Sequence, residues 1–180
     1  MGKVIIHATI SVDGFMADTE GGIDWMFDFA SADEDDAFIG AVMGELGAVV
    51  GGANKTQTIE DDELPYGGTL KIPVWEMTHT ATPPVEREGT TYTFVVDDIA
   101  QAVAEAKAAA GDKSVALLGG SISRQCLKLG LVDEIVLIVV PILLGDGISL
   151  FSGLGETIKL ERIQTEAFAD GIHLRFRVVK

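Results

Sequence analysis

The stretch that decides the fold runs from Ser114 to Phe151, SVALLGGSISRQCLKLGLVDEIVLIVVPILLGDGISLF. It reads as strand, glycine turn, helix, strand and second glycine turn. Val115 to Leu118 has the composition of a short buried strand. Gly119-Gly120 turns the backbone with no Cβ in the way, and Ser121 is placed to N-cap the helix that follows. A helix that starts on a glycine pair just past a strand aims unpaired N–H groups and its positive dipole end into one crevice. Such a crevice suits a phosphate, so the first expectation is a nucleotide or phosphorylated ligand.

Upstream, Lys3 to Val12 is apolar and β-branched, the pattern of a strand buried on both faces. A loop from Asp13 to Ala30 follows. Ser31 and Glu34 have capping-box spacing ahead of a helix face made by Phe38, Ile39, Val42, Met43 and Leu46, with Gly47 expected as its C′ residue. Ala48 to Gly51 reads as a short strand, leading through Gly52 and Ala53 to a short polar helix. Residues 60 to 71 form a loop whose Glu60-Asp61-Asp62-Glu63 run reads as solvated surface. Ile72–Thr78 and Tyr92–Val96 are strands separated by a turn around Pro83-Pro84. Asp98 and Gln101 have capping-box spacing before another helix, closed by Gly111. Downstream, Glu134 to Val140 is a long apolar strand. Ile158–Phe168 and Ile172–Val179 instead alternate around an Asp170-Gly171 turn, as an antiparallel hairpin does. The expectation is one α/β domain over residues 1–180, its mostly parallel sheet ending in a hairpin at one edge.

Composition narrows the partners. The 180 residues are 47% apolar, enough for a substantial core. A net charge of −15 repels nucleic acid and anionic membrane. The longest apolar run, Ile135 to Leu144, is too short to span a bilayer and is broken by Pro141. The N-terminal MGKVIIHATISVDG goes straight into a strand pattern without a cleavage site. Cys126, the one cysteine, excludes an internal disulfide, fits a reducing cytoplasm, and is expected on the buried side of a helix. His7, His79 and His173 lack ligand spacing, so no metal site is expected, and His7 reads as a structural histidine. Ser121 lacks the context of a catalytic nucleophile.

Four segments in order carry a family resemblance: Ser11-Val12-Asp13-Gly14-Phe15-Met16-Ala17; Gly119-Gly120 opening a helix; Gly130-Leu131-Val132-Asp133-Glu134; and Pro141-Ile142-Leu143-Leu144-Gly145-Asp146-Gly147 with Leu150-Phe151 behind it. Together they resemble the dihydrofolate reductase-like fold. The nearest likeness within it is to relatives of the C-terminal reductase domain of the riboflavin-biosynthesis enzyme. The resemblance implies a twisted, mostly parallel sheet with helices on both faces. It also implies an NADPH-dependent reductase, with the NADP cofactor across the carboxyl ends of the strands. By position, Leu118, Gly119, Gly120, Ser121 and Ile122 would meet the pyrophosphate. Asn54, Lys55 and Thr56 would hold the other phosphates, Thr78 and His79 would reach the 2′-phosphate, and Ala8, Gly14 and Gly145 would lie by the nicotinamide. Relatives often have Gly-Arg-x-Thr where this chain has Ala53-Asn54-Lys55-Thr56, and often serine and arginine at Thr78-His79. Lys55 supplies charge there without the planar fork of a guanidinium. Relatives commonly pair, which implies a homodimer.

Hydride transfer asks the protein to orient two reactants, exclude water and supply a proton. The candidate donors are Asp13, Asp24 and Asp28. Asp13 reads equally well as a turn former, and Asp28 would lie one turn from Asp24 on a continuous helix. Gly22-Ile23-Asp24-Trp25 resembles the end of the loop that covers substrate in dihydrofolate reductases, so Asp13 and Trp25 are the candidate substrate contacts. Asp35 and Asp36 read as first-turn helix charges. The expected reaction is reduction of a small heterocyclic (pterin- or pyrimidine-like), carbonyl or imine substrate. The alternative is a non-catalytic dimeric nucleotide-binding or ligand-sensing module.

Overall fold

The computed structural model describes residues 2–29, 37–52, 65–168 and 171–180. Its elements follow the chain as β1 (Val4–Ser11), β2 (Phe15–Ala17), α1 (Ala37–Glu45), β3 (Leu46–Gly52), β4 (Val74–Thr78), β5 (Val85–Arg87) and β6 (Thr90–Val96). Then come α2 (Ile99–Ala110), β7 (Ser114–Leu117), α3 (Gly120–Lys128), β8 (Glu134–Val140), β9 (Ile148–Ser149), β10 (Leu160–Phe168) and β11 (Gly171–Val178). The main sheet has the order β10-β11-β8-β1-β7-β3-β4-β6-β5, and β2 pairs with β9 in a separate ribbon. The strands from β8 through β6 are parallel, while the β10–β11 hairpin and β5 add antiparallel edges.

The central strands are buried on both faces because helices cover both. Val4, Ile6 and Ile10 of β1 join Val115 and Leu117 of β7 against α2 and α3. Ile5 and Val136 pack instead under Phe38 and Val42 of α1. On that same side, Tyr66, Leu70 and Ile72 cover Leu46, Val49, Val74 and Ala116. Burying each such aliphatic side chain stabilises the fold by about 1.5–3 kcal/mol. Cys126 is fully enclosed on α3, and burial pushes its thiol up to about 12. Where β8 meets the hairpin, buried Glu134 receives Lys3 Nζ at 2.5 Å and Arg175 Nε at 2.7 Å, and Arg175 also forks onto Glu45.

Several local expectations change. Gly47 is not a C′ residue: α1 runs directly into β3, and a Cβ at Gly47 would come within 2.7 Å of the Lys113 side chain, so its reason is close packing. The segment around Pro83-Pro84 leads into β5, which pairs back on β6 through Glu88-Gly89. Half of the second capping box forms. The Gln101 amide donates to Asp98 at 2.9 Å, while the Gln101 side chain turns to Glu105; Gly111 closes α2 at a φ of +63°. The capping box at Ser31 and Glu34, the acidic pair Asp35-Asp36, the acidic run from Glu60, and the Asp170 half of the hairpin turn lie outside the described residues.

Candidate functional site

The two flanks of β1 diverge at its middle. Toward β8, register pairs continue from Ile5–Glu134 to Ser11–Val140. Toward β7 they stop at Ile6–Leu117, because β7 ends there and the chain turns away through Leu118-Gly119. A gap opens between the second half of β1 and the start of α3. Exposure follows the gap: within β1 only Ala8 and Thr9 are not fully buried, and Ile138 and Val139 beside them on β8 are likewise half-open. The Lys3 carbonyl accepts from Val115 of β7 and the Val4 carbonyl accepts from Asp133 on the β8 side. Strand alternation therefore carries the Thr9 N–H and C=O into the gap, whereas Ala8 turns its own toward β8. Sequence reading chose Ala8; the backbone groups that face the gap belong to Thr9.

The far wall is the start of α3. Gly119, at a φ of +92°, is the N-cap, so Ser121 is not; Ser121 is the second helical residue and its hydroxyl accepts from Gln125. The Ser123 amide donates to the Gly119 carbonyl as the first helical bond, which leaves the Gly120, Ser121 and Ile122 amides without intrahelical acceptors. A Cβ at Gly120 would lie 2.8 Å from Arg124 Nη1, 3.1 Å from Met16 Sδ and 3.2 Å from the Ser149 carbonyl oxygen. The glycine lets β2, β9 and α3 meet. Arg124, which sequence reading missed, donates to the Ser149 carbonyl at 2.6 Å and brings a positive charge beside the helix start. Gly52, at the exposed end of β3, borders the Ile122 side chain.

Asp13 sits at the mouth as a clasp. Its carboxylate accepts from Ser11 Oγ at 2.5 Å, from the Gly145 amide at 2.8 Å and from the Leu144 amide at 3.3 Å. The Ser11 hydroxyl, followed by the two amides, holds its carboxyl below the usual range. That arrangement suits the turn-forming reading and makes Asp13 a poor proton donor. Gly14, at a φ of +86°, has open space where a Cβ would be, and Gly145 commits its amide to Asp13.

Asp24 and Asp28 are both exposed, and the helix that would align them is absent: Asp24–Met26 is a single 3-10 turn. Trp25 is half-buried, and its indole Nε1 is enclosed with no hydrogen-bond partner among the described residues. Thr78 and His79 do lie at the carboxyl end of β4, but His79 Nδ1 is 2.8 Å from Asp97 Oδ1. Asn54, Lys55 and Thr56 lie outside the described residues. No group of His, Cys, Asp and Glu able to hold a metal is found among the described residues.

The chain belongs to the RibD C-terminal domain family, which matches residues 2–174. It is 26% identical over 180 positions to the uncharacterized protein YyaP of Bacillus subtilis (strain 168), covering 94% of this chain and 91% of that one. Its fold is similar to that of a Shewanella sp. PV-4 protein named for riboflavin biosynthesis, at 26% identity, 99% coverage of both chains and a TM-score of 0.80. It also resembles, in fold, Enterococcus faecalis dihydrofolate reductase complexed with NADP(H), at 13% identity, 99% and 98% coverage and a TM-score of 0.66. Family and fold point to a reductase-type function.

Proposed function

We propose that this chain is an NADPH-dependent reductase that delivers hydride to a small heterocyclic, carbonyl or imine substrate, and works as a cytoplasmic homodimer. The observation that carries this reading is the gap in the sheet where β1 loses its β7 partner opposite the glycine start of α3. A flat amide-bearing ring fits such a gap, with the Thr9 backbone as a hydrogen-bonding edge and Ala8, Gly14 and Gly145 around it. A pyrophosphate fits the unpaired amides of Gly120, Ser121 and Ile122, where the α3 dipole and Arg124 offset the net negative charge of the chain. Asn54, Lys55 and Thr56 would complete the phosphate contacts, and Thr78 and His79 would approach the 2′-phosphate.

Bound NADPH would supply the hydride, and the chain's own residues position and enclose it. The Asp13 clasp and Arg124 hold the segment from Leu144 to Leu150 against β2 and α3, so one wall stands assembled before any ligand arrives. Trp25 would flank the substrate. Because Asp13 is held ionised and Asp24 and Asp28 face solvent, the proton comes from water at the half-open mouth. Dimerisation is supported by β10, an edge strand exposed along nearly its whole length, with Leu160 and Ile163 both over 40% exposed.

Calorimetric titration with NADPH and NADH, followed by cofactor oxidation with pterins, aminopyrimidines and simple carbonyls, tests the reading. Micromolar NADPH binding with turnover on one class supports it. Binding without turnover on any class would favour the non-catalytic module, and absence of binding would overturn both.

A further inference from the structure

His7 is a buried polar residue that hydride delivery leaves unused. Its ring lies on the α1 side of β1, with Nδ1 3.2 Å from Tyr66 Oη and the two rings nearly parallel at a centroid distance of 5.6 Å. The residue is 8% exposed, and its Nε2 is enclosed with no hydrogen-bond partner among the described residues. Buried polar atoms in native proteins are nearly always satisfied, so an unmet one asks for an explanation. Its position offers one. The ladder to β7 ends at Ile6, so His7 is the first residue of β1 beside the gap, and the next two, Ala8 and Thr9, are the half-open ones.

Tyr66 is held there at some cost. It has a φ of +59°, which a bulky non-glycine residue adopts only where its surroundings impose it. Burial raises the phenol well above its usual range, so the O–H stays on and can donate. Burial, with a smaller contribution from His173, lowers His7 to about 4, so its imidazole is neutral at pH 7. A neutral imidazole that accepts at Nδ1 carries its hydrogen on Nε2.

We propose that His7 and Tyr66 form a substrate-reading pair at the inner end of the gap, in which the Nε2–H of His7 donates to a carbonyl oxygen or ring nitrogen of an uncharged heteroaromatic substrate. This rests on the reductase reading of the gap. Tyr66 fixes the tautomer through Nδ1. Desolvation on this face disfavours a charged substrate group at the same point. On the same face of the sheet the His173 ring is buried between Phe38 and Phe168, at centroid distances of 4.3 and 4.1 Å.

The test is a titration of protein labelled with ¹⁵N-histidine, saturated with NADP⁺, using 5,6-diaminouracil and, separately, pterin as probes. The His7 signals are identified by their loss in His7→Phe. The expected result is an Nε2-protonated tautomer whose Nε2 signal moves with one of the probes. His7→Phe should weaken that probe about tenfold or more while NADP⁺ affinity stays within about twofold. Tyr66→Phe should mix the tautomers and weaken the probe about threefold. Unmoved His7 signals with NADP⁺ bound, or equal probe affinity in His7→Phe, would overturn the pair and leave the reductase reading intact. Failure of the wild-type protein to bind NADP⁺ would instead sink that reading and this one with it. Should His7→Phe not fold, His7→Gln provides the signal assignment and the wild-type titration decides alone.

Discussion

The β8 flank and the β7 flank of β1 belong to one strand and have opposite fates. The β8 flank is paired over seven residues, Ile5 to Ser11, and the β7 flank over three, Val4 to Ile6. The paired flank ends at its base in an ion network in which buried Glu134 and Arg175 are flanked by the more exposed Lys3 and Glu45. The open flank ends in glycines and unpaired amides. Backbone groups that complete the sheet on one side have no strand partner on the other. A strand can thus be the core of the fold and the edge of its site at once, provided its neighbour stops early.

That contrast can be broken in graded ways. Glu134→Ala should do the largest damage, since it leaves the buried Arg175 guanidinium with only Glu45 as its partner. A loss of about 3–4 kcal/mol in urea unfolding is expected, with NADPH affinity per folded molecule unchanged. A parallel loss of affinity would mean that the two flanks are not independent.

The next largest effect concerns pH. His7 has a folded value of about 4 against 6.5 for the free side chain. The unfolded chain therefore binds more protons between those values, and stability falls as pH drops from 6.5 toward 4. The loss is on the order of 3 kcal/mol, from about 1.4 kcal/mol per pH unit. In His7→Phe the profile of stability against pH should flatten across that window; an unchanged slope would show that His7 is not the titrating group.

On the open flank, Gly52→Asp adds a carboxylate at the exposed end of β3 with only ordinary contact to Ile122. It should weaken NADPH by about tenfold, near 1.4 kcal/mol, and leave the urea midpoint nearly unmoved. Gly120 would be a poorer place for this experiment, because any Cβ there strikes Arg124, Met16 and the Ser149 carbonyl. The smallest effect is reserved for Asp97→Asn. Asp97 now pairs with the exposed His79 imidazole and would repel a nearby phosphate. Its neutralisation should raise the preference for NADPH over NADH by about two- to threefold, and an unaltered ratio would remove His79 from the 2′-phosphate site.

Much of this architecture could be read from residues. The continuous apolar runs of Val4–Ser11 and Glu134–Val140 read as strands covered on both faces, and the alternation in His173–Val178 as part of the antiparallel hairpin that ends the sheet, in which β10 is the edge and β11 pairs on both sides. Gly119-Gly120 marked the crevice because its meaning is local. The parts that stayed hidden are non-local. No pattern along the chain tells that β7 stops at Leu117 while β8 continues, so Thr9 passed unnoticed beside Ala8. Arg124 looks like any helical arginine until β9, 25 residues away, brings its carbonyl oxygens within reach. Asp13 was readable only as an even choice, which the amides of Leu144 and Gly145 resolve toward a clasp. Asp24 and Asp28 were linked by a helical spacing that the chain does not adopt.

The lone cysteine gives the molecule a built-in clock. Cys126 is sealed on the inner face of α3, and its thiol is scarcely ionised below pH 10. Alkylating reagents can reach it only when that helix leaves the sheet. Its labelling rate in native buffer therefore measures how often the wall of the crevice comes apart, and any ligand that seats on the start of α3 should slow that clock in proportion to its occupancy.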